Sequence, residues 1–235
     1  MLKLRNFLKN IEVDRALDVA SRHGEFARKL MAGLARCGEI QAVDISGETV
    51  AEASARNKIK GLVFRRMDAA HLEYEDGSFD LAAVSNSLHH LPDVGAVLQE
   101  MLRVLRPGGW LIVNEMYCDG QTPPRTTHVA LHHLEGLIDT CRGQCHQPTW
   151  TRDRIVEMFK TLDLTDVHIF DDVETDPDLR RKLEEKAVRV AAEVEELRGQ
   201  GIYEEISRRH ELVRELFSRH GIERCTQLVL AGRRR

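Results

Sequence analysis

The first two thirds of the chain alternate short apolar runs with longer stretches of helical periodicity, and this alternation restricts the fold more than any other feature. Runs at residues 15–20, 39–44, 61–66, 79–85 and 109–116 are each bounded by charged residues, Gly or Pro and read as strands. Between them, Phe26, Leu30 and Leu34 fall at helical spacing, and Ser46 caps a run carrying Val50 and Ala53. Val97, Met101, Val104 and Leu105 mark a further helix, which Pro107, Gly108 and Gly109 stop. Strand and helix in this rhythm build βαβ units and a mostly parallel sheet covered on both faces. Runs at 165–173 and 226–231 add two strands, so the expectation is a doubly wound α/β sheet of seven strands.

Two segments do not belong to that rhythm. Residues 118–150 are rich in His and Cys, and residues 176–219 hold 11 acidic and 10 basic side chains in 44 positions. In the second segment Leu183, Ala187, Val190, Val194 and Leu197 step by four, three, four and three, forming one apolar seam. Gly199 and Gly201 break it, and Ile206, Val213, Leu216 and Phe217 form another. This describes a helical hairpin with a solvated charged face, the alternative being a lid or dimerisation element that would give a homodimer. The expected division is a ligand-binding core at 1–117, a cap at 118–150, a return to the core at 151–175, the hairpin insertion at 176–221, and the last strand with a basic tail at 222–235.

With 34 Lys plus Arg against 38 Asp plus Glu, the formal charge is −4, too balanced for attachment to nucleic acid by bulk electrostatics. No basic patch with interleaved aromatics accompanies the terminal Arg233, Arg234 and Arg235. No apolar run approaches the roughly 18 residues that span a bilayer. The N-terminal Met-Leu-Lys-Leu-Arg run lacks the apolar core of a signal peptide, and the five cysteines (Cys37, Cys118, Cys141, Cys145, Cys225) form no dense framework. A cytoplasmic protein with reduced thiols and no membrane span is the expectation.

The strand ends carry the functional signal. Asp18 lies near the end of the first strand, before a turn containing Gly24, and such turns aim backbone N–H groups and a helix N-terminus at a ligand. Asp44 closes the second strand 20 residues beyond Gly24, where an α/β nucleotide site needs an acceptor for ribose hydroxyls. Asp68-Ala69 follows the third strand and Ser85-Asn86-Ser87-Leu88-His89-His90 the fourth. All four segments sit at the edge where open α/β sheets bind ligands. A nicotinamide dehydrogenase would need Gly-x-Gly-x-x-Gly directly after the first strand, and this turn is almost free of glycine.

Leu17-Asp18-Val19 with Gly24, Val43-Asp44-Ile45-Ser46, Met67-Asp68-Ala69 with Phe79-Asp80, Leu88-His89-His90-Leu91, and residues 102–109 appear in the order and spacing of a known family. The chain resembles the class I S-adenosylmethionine-dependent methyltransferases, in the subgroup of the ubiquinone and menaquinone C-methyltransferases. The resemblance implies a Rossmann-like fold, S-adenosyl-L-methionine as cofactor, S-adenosyl-L-homocysteine as product and a small-molecule acceptor. It further implies that Asp18 sits near the methionyl ammonium, Asp44 holds the ribose diol, Ile45 packs on adenine and Asp68 accepts from its amine. Ala20, Gly24, Ala69 and Asn86 would line the cofactor pocket. The family's Gly-x-Gly-x-Gly turn reads Ala20, Arg22 and Gly24 here. Either Arg22 points outward with its backbone in an allowed region, or it weakens the cofactor site and leaves a non-catalytic binding protein. The Asn-Pro-Pro-Tyr or Asp-Pro-Pro-Tyr loop associated with amino-group methylation is replaced by Ser85-Asn86-Ser87-Leu88.

Methyl transfer from a sulfonium is an in-line displacement that needs alignment first and a base only for some acceptors. His90, Tyr117, His128 and His132 are the catalytic candidates, beside Glu115, which like Tyr117 reads equally as a loop anchor, and His89, which the resemblance makes a structural or cofactor-lining residue. If residues 126–140 are helical, His128, His132, Glu135 and Asp139 share one face opposite Leu131, Leu134 and Ile138. That stripe, with Cys141, Cys145 and His146 after it, fits a substrate-covering cap, a solvated face or a metal set, although its spacing matches no zinc signature. The expectation assigns no metal.

Overall fold

The computed structural model describes residues 2–174 and 178–235; the expected start of the hairpin at residue 176 lies outside the described residues. Seven strands occur in chain order: β1 (Glu12–Val19), β2 (Arg36–Asp44), β3 (Leu62–Arg66), β4 (Phe79–Ser85), β5 (Leu105–Met116), β6 (Leu164–Asp172) and β7 (Gln227–Arg234). Among the described residues eight α-helices accompany them: α1 (Leu2–Leu8), α2 (Glu25–Gly33), α3 (Gly47–Arg56), α4 (Val94–Val104), α5 (Pro123–Cys141), α6 (Arg152–Lys160), α7 (Leu179–Glu196) and α8 (Tyr203–His220). The strands form one sheet in the order β3-β2-β1-β4-β5-β7-β6. The pairs β1–β2, β2–β3, β1–β4 and β4–β5 are parallel, as the crossover rhythm requires. The strand order reverses between β1 and β4, which places the topological switch point, and hence the ligand edge, beside the carboxyl ends of these two strands.

The central strands are apolar because both faces are covered. Ala16, Leu17 and Val19 of β1 and Leu81 to Val84 of β4 are fully buried, and Ala27 and Leu30 of α2 pack into the same core as Ile40 and Ile112. Ser46 caps α3 by accepting from the Thr49 N–H at 3.2 Å, and Asp93 caps α4 from the Ala96 N–H at 2.9 Å. The fifth strand starts at Leu105 rather than at residue 109, because the Pro107-Gly108-Gly109 segment bulges between the Phe79–Leu105 and Leu81–Trp110 pairs instead of ending the helix.

α1 has no counterpart in the sequence reading. The backbone N–H groups of Lys3 and Leu4 donate to the Asp172 carboxylate at 3.3 and 2.9 Å, satisfying two donors that a helix N-terminus leaves open. Phe7 meets the Trp110 ring edge-on at 5.2 Å. Both contacts are distant in sequence, which is why no local pattern announces the helix.

The chain forms two compact units: residues 1–115, 156–172 and 228–235 make the first, and residues 116–155 and 173–227 the second. In the second, the seam of Leu183, Val190, Val194 and Leu197 packs with Ile206 and Val213 against Leu131, Leu134 and Ile138 of α5. The two segments that depart from the βαβ rhythm thus share one core. Exposed pairs such as Arg181–Glu185 and Arg209–Glu205 line the outer face of the hairpin. Among the described residues no helix is long and apolar enough to cross a membrane.

One carboxylate ties β4 to β1 beyond their ladder. Asp80 accepts from the Asp14 and Arg15 N–H groups at 2.6 and 2.8 Å and pairs with Arg106 at 2.9 Å, whereas the β1–β4 register opens only at Ala16–Leu81. Asp80→Ala leaves two strand donors without their acceptor and should lower stability by about 2 to 3 kcal/mol. Urea unfolding measures this; a change under about 0.5 kcal/mol would refute the clamp.

Candidate functional site

The carboxyl edge around β1 and β4 concentrates backbone strain. Four non-glycine residues have positive φ among those described, and three of them lie here: Ala20 at 52°, Arg22 at 47° and Asn86 at 47°. Each left-handed residue costs roughly 1 to 2 kcal/mol, and such strain gathers where a site demands it. The surrounding bonds hold it in place. The Asp44 carboxylate accepts from the Arg22 N–H at 2.9 Å and the Ser46 N–H at 3.0 Å, while Ser21 N–H donates to the Val43 carbonyl at 2.9 Å. The Arg22 side chain is exposed, so the outward alternative for this residue is the one realised. Gly24 takes φ 73°, and a Cβ there would meet the Phe64 ring at 2.5 Å; packing and backbone conformation both require glycine.

Asp18 is the electrostatic anomaly of this edge. It lies between Ala42 of β2 and Ala83 of β4, is 1% exposed, and among the described residues neither carboxylate oxygen has a partner at full hydrogen-bond geometry, the Ala27 backbone N–H being the donor that bears on it. Burial pushes its pKa up to about 8; the Ala27 backbone N–H near the start of α2 opposes this, and the Asp44 charge adds to it. Beyond it the edge offers Ile45, 66% exposed, and the exposed Asp68, whose carboxylate accepts from the Ala70 N–H at 2.9 Å. Ala69 is buried. The sheet topology thus brings Asp18, Asp44, Asp68 and Asn86 to the carboxyl ends of four neighbouring strands.

The loop after β4 is held by Glu115, fully buried at the end of β5. Its carboxylate accepts from the Ser87 and Leu88 N–H groups at 3.1 and 2.9 Å, and its other oxygen lies 3.0 Å from His89 Nδ1. Glu115 therefore anchors this loop, one of the two readings its sequence position allows, and His89 is held against the same carboxylate. His90, on the single 3-10 turn Leu88–His90, is half-buried, and its ring lies 4.3 Å from that of His89. The clamp role of Glu115 has a sequence signal, an acid closing an apolar strand, but its partners appear only in three dimensions.

Within the second unit, Tyr117 is buried and its carbonyl accepts from Gln121. His128 Nδ1 accepts from the Cys225 N–H at 3.1 Å. Burial, then the charges of Arg224 and Lys186, holds the His128 pKa well below its ordinary value, so this ring is neutral and has one nitrogen committed to backbone. His132 and His146 stand with their Nε2 atoms 3.2 Å apart. Glu135 lies 3.6 Å from His132 Nδ1, and Lys186 contacts the same carboxylate. Burial would raise the Glu135 pKa, but the His132 hydrogen bond and the Lys186 charge bring it to about 2. The polar stripe of α5 is not a solvated face: His128 and His132 are buried. Cys141 and Cys145 are exposed, whereas His146 joins His132 and Asp139.

A family model described as a methyltransferase domain matches residues 17–113. The chain is 36% identical over 106 residues to a 27-O-demethylrifamycin SV methyltransferase of Amycolatopsis mediterranei, covering 43% of this chain and 38% of that protein. It is 33% identical over 105 residues to a ubiquinone/menaquinone biosynthesis C-methyltransferase of Rhizobium johnstonii, covering 43% and 41%. The matched stretch is less than half the length of either relative. The solved structure of a Haemonchus contortus phosphoethanolamine N-methyltransferase in complex with S-adenosyl-L-methionine covers 99% of this chain and 51% of its own, with a TM-score of 0.60 at 16% identity. The two share a fold.

The raised pKa of Asp18 makes a prediction about the unliganded protein. The folded state binds the Asp18 proton more tightly than the unfolded state, whose carboxyl titrates near 3.8. The associated stability is therefore fully present below that value and is lost as pH rises through about 8. Asp18→Asn removes this dependence, so the stability of the variant relative to the parent should increase from pH 6 to about pH 8.5. Urea unfolding at the two pH values checks it; a constant difference would show that Asp18 does not titrate in this window.

Proposed function

We propose, on the premise that residues 17–113 are a methyltransferase domain, that the protein transfers a methyl group from S-adenosyl-L-methionine to a small-molecule acceptor by direct in-line displacement. The observation that carries this reading is the orphaned carboxylate of Asp18 at the switch point of the sheet. A buried, unpaired acid is costly, and a cationic group at the same edge relieves that cost. The ammonium of the cofactor's methionyl part is such a group.

The remaining residues fit the rest of the cofactor. Asp44 uses one lone pair of each oxygen on the Arg22 and Ser46 N–H groups, which leaves acceptor capacity for ribose hydroxyls. Ile45 offers an apolar surface for the adenine, and Asp68 accepts from its amine. Ala20, Gly24, Ala69 and Asn86 line the pocket. When bound, the cofactor supplies a sulfonium-activated methyl group. The chain contributes orientation, an effect worth up to roughly 7 to 11 kcal/mol in well-aligned systems. Where the acceptor arrives protonated, His90 is the candidate base of this unit, a role worth about 10² to 10⁴ in rate. Tyr117, His128 and His132 are acceptor-side candidates, with His128 limited to its Nε2 atom by the Cys225 bond.

The exposed side chain of Arg22 and the bond from its N–H to Asp44 support a working turn over a disabled one. The relatives' own names pair this kind of domain with an O-methyl acceptor in one case and a C-methyl acceptor in the other. The shared segment therefore goes with the methyl donor, and acceptor choice belongs to the residues outside 17–113.

Calorimetry with S-adenosylhomocysteine tests the reading before any acceptor is identified. Binding by the parent, weakened at least about tenfold in Asp18→Asn and in Asp44→Ala, or roughly 1.4 kcal/mol, is the expected result. Arg22→Gly should bind at least as well as the parent, because glycine adopts the required backbone without strain. A folded parent that binds neither S-adenosylhomocysteine nor S-adenosylmethionine would overturn the proposal.

A further inference from the structure

His132 of α5 and His146 of the loop after it face each other through their Nε2 atoms at 3.2 Å, and both rings carry a carboxylate behind. Asp139 Oδ2 lies 2.7 Å from His146 Nδ1, and Glu135 Oε2 lies 3.6 Å from His132 Nδ1. The Asp139 carboxylate holds a proton on His146 Nδ1 and leaves its Nε2 lone pair pointing away, and the longer Glu135 contact favours the same tautomer of His132. Two neutral rings held this way direct lone pair against lone pair across a short gap, an arrangement relieved by a cation between them, either a proton shared as Nε2–H···Nε2 or a metal ion. The gap has a characteristic size: two imidazole nitrogens on one tetrahedral zinc ion, each at about 2.0 to 2.1 Å, stand about 3.3 Å apart.

The seat of His146 is an independent sign that this approach is built into the fold. Gly136 lies in the middle of α5, where glycine costs about 1 kcal/mol relative to alanine. A Cβ at Gly136 would come within 3.0 Å of His146 Cδ2 and 3.2 Å of Nε2. Thr140, one turn on, shares its single hydroxyl proton between the Gly136 carbonyl at 2.8 Å and the His146 carbonyl at 3.2 Å. The missing side chain at 136 and the hydroxyl at 140 together press the His146 ring against the helix that carries His132. Both rings are more than nine-tenths buried, which distinguishes the pair from surface histidines that pick up ions adventitiously.

The geometry points to a divalent metal site, of the zinc type, with His132 Nε2 and His146 Nε2 as ligands and Asp139 and Glu135 as the carboxylates that orient them. In a four-coordinate ion this pair fills two positions and leaves two for other ligands. Cys141 and Cys145, though close in sequence, are exposed and take no part. The site is independent of the methyl-donor reading.

The test uses the full chain without an affinity tag, stripped with chelator, then titrated with Zn²⁺ in the calorimeter and with Co²⁺ in the visible spectrum. The expected result is one ion per chain and the absorption of a tetrahedral Co²⁺ complex. His132→Ala and His146→Ala should each lower the affinity at least tenfold. Asp139→Asn should lower it about 10- to 100-fold. Gly136→Ala keeps both ligands but displaces one, and it should weaken binding while leaving the chain folded. A Cys141→Ser/Cys145→Ser double variant should bind as the parent does. Failure of the folded parent to take up an ion would overturn the site, as would unchanged affinity in the Asp139 and Gly136 variants or loss of binding in the double serine variant.

Discussion

Burial of β1 on both faces is the constraint from which the site follows. A parallel strand inside a covered sheet has no solvent for its side chains, and Ala16, Leu17 and Val19 meet that condition. Asp18 violates it. Its acid is placed between two alanines, Ala42 and Ala83, at the point where the sheet reverses its winding. An apolar residue there would suit the core better, so the acid is a standing cost in the unliganded fold, consistent with a group kept for a ligand.

The edge around Asp18 is organised by backbone rather than by side chains. Ala20, Arg22 and Asn86 take left-handed conformations, and two of them are held by a neighbouring strand: Arg22 through the Asp44 carboxylate, Asn86 through the Asn114 carbonyl at 2.8 Å. Glu115 fixes the loop that follows by taking two of its N–H groups. The charged groups at this edge thus divide the work. Asp44 and Glu115 set the loops, while Asp18 makes no full hydrogen bond among the described residues and Asp68 keeps its carboxylate exposed. Aspartate and glutamate at strand ends look alike in sequence, but their bonds separate them.

The strands and their order of appearance are legible in the sequence because buried parallel strands are unbroken apolar runs, and the acids that end them are equally plain. Family resemblance supplies the residue roles that spacing alone leaves open. What escapes is set by contacts between distant residues. α1 depends on Asp172, 168 positions beyond Leu4; the extra tie between β1 and β4 depends on Asp80; the hairpin seam meets α5 rather than standing alone. The α5 stripe shows its spacing but not its burial, and the closeness of His146 to His132 rests on a glycine and a loop that no helical period describes. The cysteines that sequence proximity groups with these histidines are left at the surface.

The central claim is that Asp18 is neutral in the free protein near neutral pH and becomes the counter-ion of the cofactor's ammonium. Proton exchange on binding reads this directly, by calorimetry of S-adenosylhomocysteine at one pH in buffers of different ionisation enthalpy. With Asp18 titrating at about 8 and the ligand's amino-acid ammonium already charged at neutral pH, close to one proton should be released per ligand bound at pH 7. The release should fall as pH rises through about 8. Absence of proton exchange at pH 7, or the same exchange in Asp18→Asn, would contradict the account.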